Sequence, residues 1–151
     1  MESTLMLVVT AVLGLAGALA LAYSPASKQV VKTDRAPLPI GPYSQAVKQG
    51  NLVFVSGQLG MNLETKKLGG TVKEQAALSL THLKTILEAS GSSMDCVLKT
   101  TIFLGDINDF PVVNEVYASF FTEEPPARST VQVARLPLGA LVEIEAVACV
   151  E

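Results

Sequence analysis

Along residues 142–146 apolar and polar side chains alternate with a period of two. Val142, Ile144, Ala146 and Ala148 share one face, and Glu143 and Glu145 share the other. Such a strand has one side that must be kept dry, so the chain folds around a sheet covered on one side. The cover is legible upstream. Residues 71–90 read as a helix in which Ala76, Leu80, Leu83 and Leu87 recur at i, i+4, i+7 and i+11, a single apolar stripe. Gly91 follows where a C-terminal cap is expected.

The remaining elements fall into order around these two. Residues 43–49 and 52–58 predict two strands of a hairpin turning at Gly50 and Asn51. Residues 97–104 are rich in apolar and β-branched side chains and predict a buried strand. Asn108 is the expected N-cap of a second helix running to Phe121, with Pro111 tolerated in its first turn. Residues 129–134 and 141–150 are the last two strands. Hairpin, helix, strand, helix and two strands make an α+β domain, one sheet covered on one side by two helices. The other face, with Val53, Val55 or their neighbours left open, must meet water or another subunit.

The front of the chain is different in kind. Residues 5–23 carry no charge and almost nothing polar. As a helix this run is about 28 Å long at 1.5 Å per residue, against a hydrocarbon core of about 30 Å. A cleaved signal would use Ala20-Leu21-Ala22 as its small-residue site, but no basic residue precedes the run. Lys28, Lys32 and Arg35 follow it instead, favouring an uncleaved anchor with the domain on the cytoplasmic, stromal or matrix side. The alternative is a removed targeting segment and a soluble organellar domain. The expected organisation is an N-terminal hydrophobic helix (1–23), a polar tether (24–35) and a folded domain (36–151). Roughly 120 residues outside the front segment can bury a core without disulfides or metal.

Composition narrows the partners. The 151-residue chain has a net charge of −3 and no basic cluster beyond Lys66-Lys67, so nucleic acid is not an expected partner. Its two cysteines, Cys96 and Cys149, lack CxxC spacing and read as buried thiols, not metal ligands. The lone His82 reads as a solvated helix residue.

One stretch carries chemistry. In Pro125-Pro126-Ala127-Arg128-Ser129-Thr130-Val131 a rigid turn delivers an arginine to the mouth of a strand. An aimed guanidinium grips a carboxylate through two parallel hydrogen bonds. Downstream, Glu143 and Glu145 offer carboxylates able to handle a water. Arg128 and Glu143 together suggest a site for a small carboxylic acid, although a surface arginine and a solvated strand face satisfy the same spacing.

Six segments, in order over residues 36–150, resemble the RidA/YjgF family of small imine deaminases. They are Ile40-Gly41-Pro42-Tyr43-Ser44-Gln45-Ala46, Val55-Ser56-Gly57-Gln58, Asn108-Asp109-Phe110, Val113-Asn114-Glu115-Val116-Tyr117, Pro126-Ala127-Arg128-Ser129 and Ile144-Glu145-Ala146-Val147-Ala148. The resemblance implies a chorismate-mutase-like fold and a homotrimer. Three sheets would close into a central barrel, with sites in the clefts between subunits. It implies hydrolysis of reactive 2-imino acids, or their enamine tautomers, to 2-keto acids and ammonia, with no cofactor and no metal.

By position, Arg128 would clamp the substrate carboxylate and Glu143 would hold or activate water. Tyr43, Ser56, Gly57, Asn114 and Thr130 would line the pocket, with Gly57 giving backbone room. Thr130 departs from members that carry a cysteine there, and the front segment departs from ordinary soluble members. The competing function is a non-catalytic structural, sensing or chaperone-like subunit of a membrane-associated complex. An endoribonuclease role, also attached to some relatives, is disfavoured by the acidic balance.

Overall fold

A computed structural model describes residues 27–150. Strands β1 (Gln29–Val31), β2 (Ala46–Gln49), β3 (Leu52–Leu59), β4 (Val97–Leu104), β5 (Ala127–Gln132) and β6 (Val142–Cys149) form one sheet. Its order is β1-β2-β3-β6-β4-β5. Helices α1 (Val72–Ala89) and α2 (Phe110–Phe120) cover one side. The one-sided α+β architecture expected from the alternation is the one observed.

The final strand is the centre of the sheet, antiparallel to β3 on one side and β4 on the other. Val142, Ile144 and Ala148 are fully buried under the helices, with Val53, Ile102, Leu104 and the α1 stripe. Burying a side chain of this size stabilises the fold by roughly 1.5–3 kcal/mol, so this layer carries most of the stability. Val53 and Val55 belong to this dry side. The open face is built from their neighbours, including Phe54, 46% exposed, and across the sheet Val131, 44% exposed.

Helix α1 is closed at both ends by its own sequence. The Thr71 hydroxyl accepts from Glu74 N at 3.2 Å, and the Glu74 carboxylate accepts from Gly70 N at 2.7 Å. At the far end Gly91 takes a positive φ of 74°, which costs glycine little. Gly91 N donates to the Glu88 carbonyl and Ser92 N to that of Leu87, the paired bonds of a Schellman cap.

Four expectations need correction. The stretch read as a tether contains β1, in register with β2 through Gln29↔Lys48, Val30↔Val47 and Val31↔Ala46. The side chain of Gln45, 2% exposed, secures the segment after β1. It accepts from Thr33 N at 2.8 Å and donates to the carbonyls of Thr33 and Pro37 at 3.0 and 2.9 Å. His82 is buried, not solvated. Its Nε2 lies 2.7 Å from the Met61 carbonyl, which only accepts, so that nitrogen carries the proton. Burial, partly offset by this bond, lowers its pKa below the usual histidine range.

The N-cap position of helix α2 is Asp109, not Asn108, and its side chain makes no capping bond. A 3-10 turn over Ile107–Asp109 precedes it, opened by the Asp106 carboxylate accepting from Asn108 N. Cys96 and Cys149 are half-buried, not fully buried. Strand edges also move. β2 starts at Ala46 because the chain bends over residues 40–43, with Tyr43 N donating to the Gly41 carbonyl, and pairs with β3 only from Ala46. β5 starts at Ala127 because pairing with β4 begins directly after Pro126. Among the described residues no helix is long and apolar enough to cross a membrane. The anchor expected over residues 5–23 lies outside the described residues.

Candidate active site

Arg128 stands on edge strand β5, which runs parallel to β4. It is in register with Thr100, a buried residue itself opposite buried Ala146, so Arg128 faces the helix side. There α2 supplies a floor of aromatic rings. The guanidinium carbon lies 4.6 Å from the Tyr117 ring centre and 5.6 Å from that of Phe110. The Tyr117 hydroxyl is fixed in turn by Thr100 Oγ1 at 2.8 Å. Burial raises the Tyr117 pKa, while that bond and the Arg128 charge pull it down.

Phe110, Asn114 and Tyr117 are spaced i, i+4, i+7, so Asn114 shares the stripe on which Arg128 rests. Thr130, two residues along β5, shares the Arg128 face, and its buried Oγ1 has no hydrogen-bond partner among the described residues. Among the same residues the one salt bridge joins Arg35 to Glu88, so no carboxylate occupies the Arg128 fork.

Glu143 stands elsewhere. It lies between buried Val142 and Ile144 on β6 and therefore points to the open face. Its register neighbours are Leu59 on β3 and Phe103 on β4. Between apolar neighbours the carboxyl is partly desolvated. Burial first, and then the charge of Glu145 two residues along, raise its pKa above the usual carboxylate range. Gly57 sits at the irregularity of β3 between Val55 and Gln58. A Cβ there would lie 2.7 Å from Glu143 Cδ and 2.9 Å from Cγ, so glycine makes the space the carboxylate occupies. The backbone room expected of Gly57 is room for Glu143.

The neighbouring turn completes this half. Ser56 Oγ donates to the Ser44 carbonyl at 2.7 Å, and Ser56 N to that of Gln45 at 3.0 Å. The hydroxyl proton is thus committed to the backbone, and only the oxygen lone pairs remain to meet a ligand. Tyr43 is 49% exposed, its hydroxyl accepting from Ile40 N at 3.3 Å. Tyr43 and Gly57 line a pocket of about 440 Å³ whose walls include Leu38, Ile40, Met61 and Leu138.

The seven expected residues therefore form two groups. Arg128, Asn114 and Thr130 lie on the helix side at the β5 edge. Glu143, Gly57, Ser56 and Tyr43 are set by β3, β6 and the turn beside them. Within one chain the arginine and the glutamate are on opposite faces of the sheet. Sequence reasoning missed the ring floor of Phe110 and Tyr117, although their seven-residue spacing on a helix was available. It also missed the clamp made by Gln45. Among the described residues no group of three His, Cys, Asp or Glu side chains is placed to hold a metal ion.

Comparison with known proteins gives a consistent result. The family described as Endoribonuclease L-PSP matches residues 33–150. A 2-iminobutanoate/2-iminopropanoate deaminase of Dermatophagoides farinae is 48% identical over 125 residues, 82% of this chain and 98% of that protein. Reactive Intermediate Deaminase A, chloroplastic, of Arabidopsis thaliana is 50% identical over 131 residues, 86% of this chain and 70% of that one. Among solved structures, E. coli TdcF with bound serine superposes with a TM-score of 0.79 at 44% identity, covering 82% of this chain and 99% of that one. A match over nearly all the described residues, with identities near one half, settles that this chain belongs to the Endoribonuclease L-PSP family, the RidA/YjgF family its motifs resemble.

Proposed function

We propose that the protein hydrolyses small 2-imino acids, or their enamine tautomers, to 2-keto acids and ammonia, at sites shared between two copies of the chain. The observation that carries this reading is Arg128. A guanidinium held on two rings, with no carboxylate partner among the described residues, is a preorganised clamp for a small acid. Deaminases about half identical to this chain favour an imine as that acid.

The chemistry requires no metal or organic cofactor. The imine carbon is already electrophilic, and the carboxylate clamp fixes it in place. Glu143 takes a proton from water as the oxygen attacks that carbon. That proton passes to the imine nitrogen, giving a carbinolamine. Glu143 then takes the hydroxyl proton as the C–N bond breaks and delivers it to the departing nitrogen, so the keto acid keeps the water oxygen and ammonia carries both protons. A raised pKa makes Glu143 a better base than an exposed carboxylate, and such a base contributes roughly 10²- to 10⁴-fold. The Endoribonuclease name points instead to RNA, but a net charge of −3 offers phosphates little attraction.

Because Arg128 and Glu143 face opposite sides of one sheet, one chain does not present both to a molecule of this size. A homotrimer supplies the missing half: Arg128, Asn114 and Thr130 of one subunit meet Glu143, Gly57, Ser56 and Tyr43 of the next. The exposed Phe54 and Val131 on the open face give the subunits apolar area to bury. The front segment places the assembly at a membrane or inside an organelle, and N-terminal sequencing of the mature protein separates these outcomes.

Complementation tests the shared site. Arg128→Lys and Glu143→Gln are each expected to be nearly inactive on a freshly generated imino acid, read as keto-acid release. Unfolded and reassembled together, they regain activity at about a quarter of sites, where an intact arginine meets an intact glutamate. An inactive mixture of folded, co-assembled chains overturns the shared site. Failure of the wild-type protein to accelerate keto-acid release overturns the activity itself.

A further inference from the structure

The geometry points to a modification site at the other end of β6: Cys96 and Cys149 form a reversible intramolecular disulfide. Cys149 N donates to the Cys96 carbonyl at 2.9 Å, and the next pair inward, Val97↔Ala148, is in antiparallel register. The two cysteines therefore stand directly opposite each other. Opposed residues of a hydrogen-bonded antiparallel pair have Cα atoms about 5.5 Å apart, within the roughly 4.4–6.8 Å span of disulfides. The chain contains two cysteines in all, so an intrachain bond has a single possible pairing.

The backbone here is only half tied. A regular pair would exchange two ladder bonds, but Cys96 N donates to the Ser93 carbonyl at 3.3 Å. The Cys149 carbonyl accepts from Ser92 Oγ at 2.6 Å instead. Cross-strand Cβ atoms lie about 4.5–5.5 Å apart and disulfide Cβ atoms about 3.5–4.5 Å, so the pair must close slightly. A position where β6 ends and β4 begins from a turn can make that adjustment. Neither residue is fully buried in the chain, and a peroxide is a small oxidant. A bond formed with some strain is also readily reduced, the property of a regulatory disulfide.

The step balances with a hydroperoxide as oxidant. One thiolate sulfur attacks a peroxide oxygen, the O–O bond breaks, and a sulfenic acid forms as hydroxide leaves to become water. The second thiolate attacks that sulfur, forming S–S and expelling a second hydroxide, which is protonated to water. Two thiols have lost two electrons, and one hydrogen peroxide has become two waters. The new bond would close a loop of about fifty residues containing β4, α2, β5 and β6. It lies about 20 Å along β6 from Glu143, at about 3.4 Å per residue, and its formation rests on no assumption about the reaction.

The test uses the full chain with hydrogen peroxide. Peptide mapping under non-reducing conditions is expected to recover the Cys96 and Cys149 peptides joined within one chain. Thiol titration should fall from two to none, and a dithiol reductant should restore both. The oxidised protein should melt higher by roughly 5–10 °C, a shift absent from Cys149→Ser and Cys96→Ser treated alike. Persistence of both thiols, links found only between chains, or sulfinic acids without a linked peptide would overturn the proposal.

Discussion

The two halves of the candidate site are built by opposite means. At the β5 edge, Arg128 is positioned by bulk: two rings of α2 lie beneath it, and Tyr117 is pinned by Thr100. At the centre of the sheet, Glu143 is positioned by absence, in space that exists because Gly57 has no side chain. An edge strand has no neighbour on one side, so a long side chain there wanders unless something is placed under it. A central strand is crowded, so a functional side chain there needs room made for it. The first half tolerates a change of ring and not of guanidinium. The second tolerates almost nothing added.

The variant that strains this contrast most is Arg128→Lys. Lysine keeps the charge and loses the two-pronged grip. A displacement of the imine carbon by about 1 Å is expected to lower kcat/KM on the order of a hundredfold, with an unchanged melting curve. Near-normal kcat/KM would show that the ring floor does not serve a clamp. Next comes Gly57→Ala. The added methyl cannot coexist with Glu143 where it stands, so the carboxylate or β3 must move. A fall of roughly tenfold to a hundredfold, mainly in kcat, is expected. A kinetically silent Gly57→Ala would mean that Glu143 needs no such seat.

Smaller effects separate the halves further. Phe110→Leu removes one π face and keeps the apolar volume, while Tyr117 still supports the guanidinium. At roughly 0.5–1 kcal/mol for a cation–π contact, KM should rise about two- to fivefold with little change in kcat. A large loss of kcat would place Phe110 among the reacting groups instead. Glu145→Gln should have the least effect, visible only in a pH profile. Glu143 must be ionised to act as a base, so turnover is lost as pH falls through its raised pKa. Removing the neighbouring negative charge lowers that pKa, so the acid limb moves to lower pH while the neutral-pH rate holds. An unmoved limb would leave burial as the whole cause.

Periodicity made the covered side of the molecule legible. The α1 stripe and the alternation of β6 depend on spacings that survive in any context, and both appear where the sequence puts them. What sequence could not give was partnership at a distance. His82 looks solvated until the segment after β3 folds back and offers the Met61 carbonyl. Gln29–Val31 is only three residues long between Lys28 and Lys32, and it passes for part of a linker until β2 presents an edge to it. Residue types and spacing drew attention to both Arg128 and Glu143. Their placement on opposite faces emerges only from knowing that β5 joins β4 in parallel register, with β6 on the other side of β4.

The Gln45 clamp has a mechanical consequence. A pull applied at residue 27 enters the sheet through the three register pairs of β1 and β2. Beyond them it meets the Gln45 side chain, whose amide is tied on both sides to the segment between Thr33 and Pro37. Tension therefore meets the β1–β2 pairs first and the Gln45 amide second, before the chain reaches Tyr43. Whatever drags on the front of this chain, β1 is the sacrificial element, and the Gln45 clamp is the second line that holds the segment behind it.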